Sequence, residues 1–440
     1  MRYAVFFLSF LLISAVNGQQ KTNPDEIRDK MGWYENAKLG IFIHWGIYAV
    51  NGTDESWGFF NRKLSWADYM QQTKGFTASR YDPEAWAELI QYSGAGYAVI
   101  TTKHHDGVAL WNTKAKHFDV VDNTPAKRDL LAPFYSAIRK RGIKAGAYFS
   151  LIDWSHPDYP VITRDSVRYQ ISNDYERWQR FRNFMHGQLK EVNELYKPDL
   201  WWFDGDWEHS AEEWESMRIR SEILKLNPRS VLNGRLAGWG DYETPEQNIP
   251  VSQPKYPWWE LCMTTNDNWG YKVTDTNWKT PFEIISIFAD VVSNGGNLLL
   301  DIGPKEDGTI PAEQVNILRE LGSWNKTNGE AIFGSRAGIP KGHFFGPTTL
   351  SADSTKLYLF VSGNAEGPLL VKGLTNKIKS IRVLGNNSYL QHKVVGKISW
   401  SPVPGLVFIN LPKAVQTKYI TVLELSLEGP VKLYSGQGGF

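Results

Sequence analysis

The chain has 440 residues, with 48 Lys and Arg against 47 Asp and Glu, a formal net charge of +1. That balance argues against a nucleic-acid partner, which normally selects for a basic excess. Charged residues at 22% and hydrophobic ones at 42% exclude wholesale disorder, and a single cysteine, Cys262, excludes an internal disulfide.

The N-terminus reads Met1-Arg2-Tyr3 and then an apolar run from Ala4 to Val16, with small residues up to Gly18. One positive charge, a short apolar run and small residues are the pattern of a secretory signal, here residues 1–18, with the mature chain starting at Gln19. The run is too short for a comfortable membrane span. No other stretch approaches 18 apolar residues, so a soluble mature protein with no membrane span is expected. The expected location is secreted or periplasmic, or lysosomal in a eukaryotic host. Asn51, Asn325 and Asn386 each begin an Asn-X-Ser/Thr glycosylation pattern.

Short apolar strands are predicted at 39–46, 97–105, 144–151, 200–205, 230–235, 258–264, 297–303 and 331–335. Helices are predicted at 83–93, 127–141, 176–197, 211–226, 281–293 and 312–327. The strand runs are nearly continuous in apolar residues, as expected when both faces are buried. Eight such strands with intervening helices predict a (β/α)8, TIM-like barrel over residues 19–338. A doubly wound sheet is the rival, but no GxGxxG follows the first strand. From about residue 339 to 440 the pattern becomes short alternating strands broken by Gly, Pro and Asn: 356–363, 367–374, 378–385, 396–402, 405–412 and 418–429. That predicts a C-terminal all-β sandwich.

The composition includes 19 Trp, 20 Tyr and 21 Phe. Aromatic rings fill large cores, and they also stack on the C–H faces of sugars. In a barrel the active groups gather at the C-terminal strand ends. Those ends supply His44, His104, His105, Asp106, Asp153, Asp204, Asp206, Arg235, Glu260 and Asp301. Asp204, in WWFDGDW, follows an apolar strand and precedes Gly205, where the chain turns freely. A carboxylate there suits a nucleophile or base; otherwise it caps the next helix. Asp206 is its rival on the same turn.

KHHDG (103–107) places two histidines together. Adjacent residues on a strand point to opposite faces, and no HxH or HExxH spacing is present, so no metal is expected. Hydrogen bonding to hydroxyls suits neutral imidazoles better, here and at His44. The loop 233–250 carries Arg235, Asp241, Glu243 and Glu246, and a second carboxylate on a mobile loop is what a general acid needs. Glu260, between Trp259 and Leu261, is the alternative acid, because an apolar setting raises a carboxyl pKa. Trp269, in WGY, suits the wall of a sugar site. There is no GxSxG, and Cys262 reads as inert core.

IHWG (43–46), KHHDG (103–107), LWWFDG (200–205), NGR (233–235), DYETPEQ (241–247), WWELCMTTNDNWGY (258–271) and NGGNLLLDIGPKEDG (294–308) resemble, in order, glycoside hydrolase family 29, the α-L-fucosidases. The resemblance spans Trp33 to Gly338 and more loosely the C-terminal module. It implies a (β/α)8-like barrel followed by a β-sandwich. It also implies retaining hydrolysis of terminal α-L-fucosyl groups from oligosaccharides or glycoconjugates, with no cofactor. By the family's motifs Asp204 is the nucleophile, and His44, His104 and His105 hold fucose hydroxyls. Arg235 stands beside the acid/base, and Trp269 meets the methyl face. A glutamate about forty residues after the nucleophile selects Glu246 as acid/base, with Glu260 in reserve. Many members have adjacent Glu-Trp in the first loop. Here Glu55 and Trp57 are offset by one residue, so Trp57 inherits the substrate role more securely than Glu55. A glycosidase acting on a fucose-like sugar such as an α-L-galactoside, and a non-catalytic fucose-binding protein, are the alternatives.

Overall fold

The computed structural model describes residues 24–251, 254, 256–386 and 388–436. The expected signal segment lies outside them. Seven parallel strands form the central sheet: β1 (Leu39–Ile43), β2 (Tyr97–Lys103), β3 (Lys144–Ser150), β4 (Leu200–Asp204), β5 (Val231–Leu232), β6 (Glu260–Thr264) and β7 (Asn297–Ile302). Their spatial order is β6-β7-β1-β2-β3-β4-β5. Apart from Lys144 every residue in them is buried, which is why they read as unbroken apolar runs rather than alternating ones.

The ring closes between β5 and β6 through an extended segment, residues 241–247. It makes parallel bridges Asn233↔Tyr242, Glu243↔Trp259 and Glu246↔Cys262. Asp241 N donates to Leu232 O at 2.6 Å, Glu260 N to Glu243 O at 2.9 Å and Cys262 N to Pro245 O at 3.1 Å. This segment is the eighth stave. The strand expected at 331–335 is not one: Gly329–Ala331 forms a 3-10 turn and Gly334 sits at φ +71°. A short buried apolar run serves a turn as well as a strand, and periodicity does not separate them.

Helices cover the outside at Pro83–Ser93, Leu131–Lys140, Tyr175–Tyr196, Ser216–Leu226, Pro281–Ser293 and Ala312–Asn328. Their ends follow local chemistry. Asp82 accepts from Glu84 N and Ala85 N ahead of Pro83, and Gly94 ends that helix at φ +88°. Thr280 and Glu283 form a reciprocal capping box.

Beyond the barrel, two antiparallel sheets face each other. One has the order Arg336–Ala337, Thr348–Leu350, Lys356–Ser362, Ile420–Leu427, Ile378–Val383; the other Leu369–Lys372, Leu406–Ile409, His392–Val395. Leu357, Leu359, Val371, Ile381, Ile409, Leu423 and Leu425 fill the space between them. The strand expected at 396–402 lies instead at His392–Val395, because Gly396 turns at φ +78° and Pro402 follows. The outer face of the larger sheet turns Tyr358, Phe360, Ile420 and Val422 into the barrel's own core. Trp324 Nε1 donates to Ile420 O at 3.0 Å across that seam. Among the described residues no helix is long and apolar enough to cross a membrane.

Candidate active site

Asp204 is the last residue of β4, in register with Ser150, the last residue of β3. Its carboxylate therefore emerges at the C-terminal mouth. Tyr148 OH donates to Oδ2 at 3.0 Å and Arg235 Nη1 to Oδ1 at 3.0 Å. The same guanidinium donates through Nη2 to Glu246 Oε2 at 2.6 Å. Its Nε donates to Thr244 Oγ1 at 3.0 Å, and its plane lies 4.5 Å over the Trp202 ring. Being planar and rigid, one guanidinium keeps the two carboxyl oxygens within about 8 Å of each other. The stave at 241–247 is what carries Glu246 to this place.

Three histidines surround Asp204, and each is anchored through Nδ1. His44 pairs with Asp301 Oδ1 at 2.7 Å, His104 with Ser56 Oγ at 2.6 Å, and His105 with Ser150 Oγ at 2.6 Å. Ser150 uses its one proton to donate to Ile152 O at 2.7 Å. His105 must therefore be the donor at Nδ1, and its Nε2 carries a lone pair. That nitrogen stands 3.6 Å from Asp204 Oδ2, too far for a hydrogen bond. It can accept a hydrogen bond from a substrate hydroxyl. Burial pushes the His105 pKa down to about 3, and holds His44 and His104 well below the ordinary imidazole value. All three are neutral near pH 7, as the sequence reading requires.

The pair His104–His105 does not point to opposite faces. Strand β2 ends at Lys103, so the period-2 rule no longer applies, and the two rings lie 4.3 Å apart on the same side. His104 stacks on Tyr148, with centroids 5.4 Å apart at 5°.

Trp269 lies 5.1 Å from the His44 ring, and Trp57 meets His105 edge-on at 5.5 Å. Glu55 is buried and accepts from Gly270 N at 2.5 Å, and Lys272 binds Asp54 at 2.5 Å. Those two contacts tie the Trp269 loop to the loop after β1. Glu55 thus positions the aromatic wall. Burial raises its pKa.

Glu260 is placed elsewhere. It is the first residue of β6, in register with Asn297, the first residue of β7, at the opposite end of the barrel from Asp204. It is fully buried, accepts from Tyr97 OH, and accepts from Trp202 Nε1 at 3.1 Å. The Trp202 indole thus lies between Glu260 and Arg235. Burial lifts the Glu260 pKa to about 7. The shift expected of an acid is present without a place at the mouth.

Asp206 accepts from Ala237 N at 2.9 Å and so braces the loop after β5. Asp241 is held by Lys30, Arg220 and Leu232 N. Tyr148 and Trp202 were not singled out by the sequence. A usable signal existed, since residues two apart share a strand face: Trp202 precedes Asp204 by two and Tyr148 precedes Ser150 by two. Among the described residues no group of three or more His, Cys, Asp or Glu could hold a metal. A groove of about 1280 Å³ lies between barrel and sandwich and includes none of these side chains.

The family model for α-L-fucosidase matches residues 13–330. The chain belongs to the α-L-fucosidase family. It is 31% identical to the human tissue α-L-fucosidase over 90% of this chain and 88% of that protein. It is 32% identical to α-L-fucosidase of the amphioxus Branchiostoma floridae over 69% of this chain and 72% of that one. The structure of α-L-fucosidase isoenzyme 1 from Paenibacillus thiaminolyticus superposes with a TM-score of 0.83 at 32% identity, covering 92% of this chain and all of that one. A family 29 α-L-fucosidase from Bacteroides thetaiotaomicron, trapped as a covalent intermediate with 2-fluoro-fucosyl fluoride, superposes with a TM-score of 0.80 at 27% identity over 91% of this chain and 96% of that one. The barrel-plus-sandwich architecture and the glycoside hydrolase class follow from family membership.

Proposed function

We propose that this α-L-fucosidase cleaves terminal α-L-fucosyl groups by double displacement, with Asp204 as nucleophile and Glu246 as acid/base. Asp204 attacks the anomeric carbon and the glycosidic C–O bond breaks. The Glu246 proton passes to the departing oxygen. Glu246 then takes a proton from water, which attacks the fucosyl-enzyme and returns the Asp204 carboxylate with retained configuration. The observation that carries this assignment is the Arg235 guanidinium bonded to both carboxylates. Only groups held together at the mouth can act on one bond. Glu246 is 39% exposed at its side chain, so it can reach water, whereas Glu260 cannot. The covalent intermediate of the Bacteroides relative supports the retaining course.

His44, His104, His105, Trp57 and Trp269 line the fucosyl pocket. In this reading residues 1–18 direct secretion, 19–338 form the catalytic unit, and 339–440 buttress the barrel. The substrate is a fucosylated oligosaccharide or glycoconjugate, and no cofactor takes part. The test is hydrolysis of 4-nitrophenyl α-L-fucoside by the chain from Gln19, with Asp204→Asn alongside. Turnover lost in the variant supports the assignment; near-normal turnover refutes it.

A further inference from the structure

We infer that Trp207 is the platform for the sugar that bears the fucosyl group, so that it selects glycan over non-glycan leaving groups. The inference rests on the fucosidase reading. Trp207 stands three residues after Asp204, on the turn that leaves β4. Its neighbours are tied down. Asp206 Oδ2 accepts from Ala237 N, and Asp206 O accepts from Trp214 Nε1 at 3.1 Å. Glu208 accepts from Trp154 Nε1 at 3.0 Å and from Tyr159 OH. Between these anchored residues the large apolar indole is left 53% exposed. The anchored turn therefore holds the indole in one place with a face open to a partner.

The position says what covers it. The indole meets His105 edge-on at 5.9 Å and runs nearly parallel to Trp57, with centroids 6.3 Å apart at 16°. His105 Nε2 is within 3.6 Å of the Asp204 carboxylate. Trp207 is thus on the rim of the pocket that holds the reacting fucosyl ring. Asp204 must touch the anomeric carbon, so every part of the substrate beyond that ring leaves across the rim. A pyranose presents a C–H face to such an indole. The ligand class is the second sugar of a fucosyl disaccharide or longer glycan.

The test compares α-L-fucosyl fluoride, whose leaving group has no ring, with an α-L-fucosyl disaccharide. The reading is the ratio of the two kcat/KM values in wild type, Trp207→Ala and Trp207→Phe. The disaccharide-to-fluoride ratio is expected to fall about tenfold in Trp207→Ala, through KM, and to recover in Trp207→Phe. An unchanged ratio overturns the inference, whether both substrates suffer equally, which would make Trp207 a wall of the fucosyl pocket, or neither does. Wild type that fails to cleave fucosyl fluoride would instead undo the fucosidase reading.

Discussion

Arg235→Met removes a group that bonds both carboxylates to which the proposed mechanism assigns the chemistry. In the wild type its guanidinium donates to Asp204 at 3.0 Å and to Glu246 at 2.6 Å, with the side chain only 20% exposed. A hydrogen bond to a charged group is worth about 1.5–3 kcal/mol. The two bonds share one side chain, so their losses do not simply add. A cost of roughly 3–5 kcal/mol in the transition state corresponds to a fall of roughly 10²- to 10⁴-fold in kcat/KM. Methionine keeps the apolar stem over Trp202, so the fold survives. Arg235→Lys keeps a charge but cannot fork to two carboxylates, and should fall between the two. The assay is kcat/KM for α-L-fucosyl fluoride, with far-UV circular dichroism and a thermal midpoint to verify folding. A well-folded Arg235→Met within tenfold of wild type would refute the idea that this bridge organises the chemistry.

Glu246→Ala should slow poor leaving groups far more than activated aryl fucosides, and azide should restore part of the rate; the same pattern in Glu260→Gln would move the acid. Glu260 is raised from 4.5 to about 7 by burial, so the folded state holds its proton more tightly than the unfolded chain. Folding stability from this group is therefore full below about pH 4.5 and declines by about 3 kcal/mol as pH rises to 7 and above. Glu260→Gln should remove that decline, so urea midpoints of variant and wild type should move closer, or cross in the variant's favour, between pH 5 and pH 8; a constant difference contradicts the argument. Phe360→Ala, at the seam between sandwich and barrel, should cost about 3–5 kcal/mol and lower the thermal midpoint of the whole chain. A loss below about 1 kcal/mol would deny the sandwich its buttressing role.

The seven strands were legible because burial on both faces leaves continuous apolar runs. The eighth stave was not. DYETPEQ has poor strand propensity, and it is extended only because Leu232, Trp258 and Cys262 offer it backbone partners. The same blind spot hid the choice between Glu246 and Glu260. In sequence both are glutamates that follow the fifth strand; in space one lies on the closing stave at the mouth and the other starts a strand at the far end. Asp204, Arg235 and the histidines were readable as strand-end polar residues. Their anchors Ser56, Ser150 and Asp301 are distant in sequence from His104, His105 and His44, and only pairing brings them together. Tyr148 and Trp202 read as core because aromatic residues in apolar runs usually are.

The most direct measurement is to inactivate the enzyme with 2-deoxy-2-fluoro-α-L-fucosyl fluoride and map the labelled peptide by mass spectrometry. A fucosyl group in ester linkage on Asp204, with L-fucose released in retained configuration by nuclear magnetic resonance in the uninhibited reaction, is the predicted result. Label on Asp206 or Glu246, or release with inverted configuration, would contradict the account at its centre.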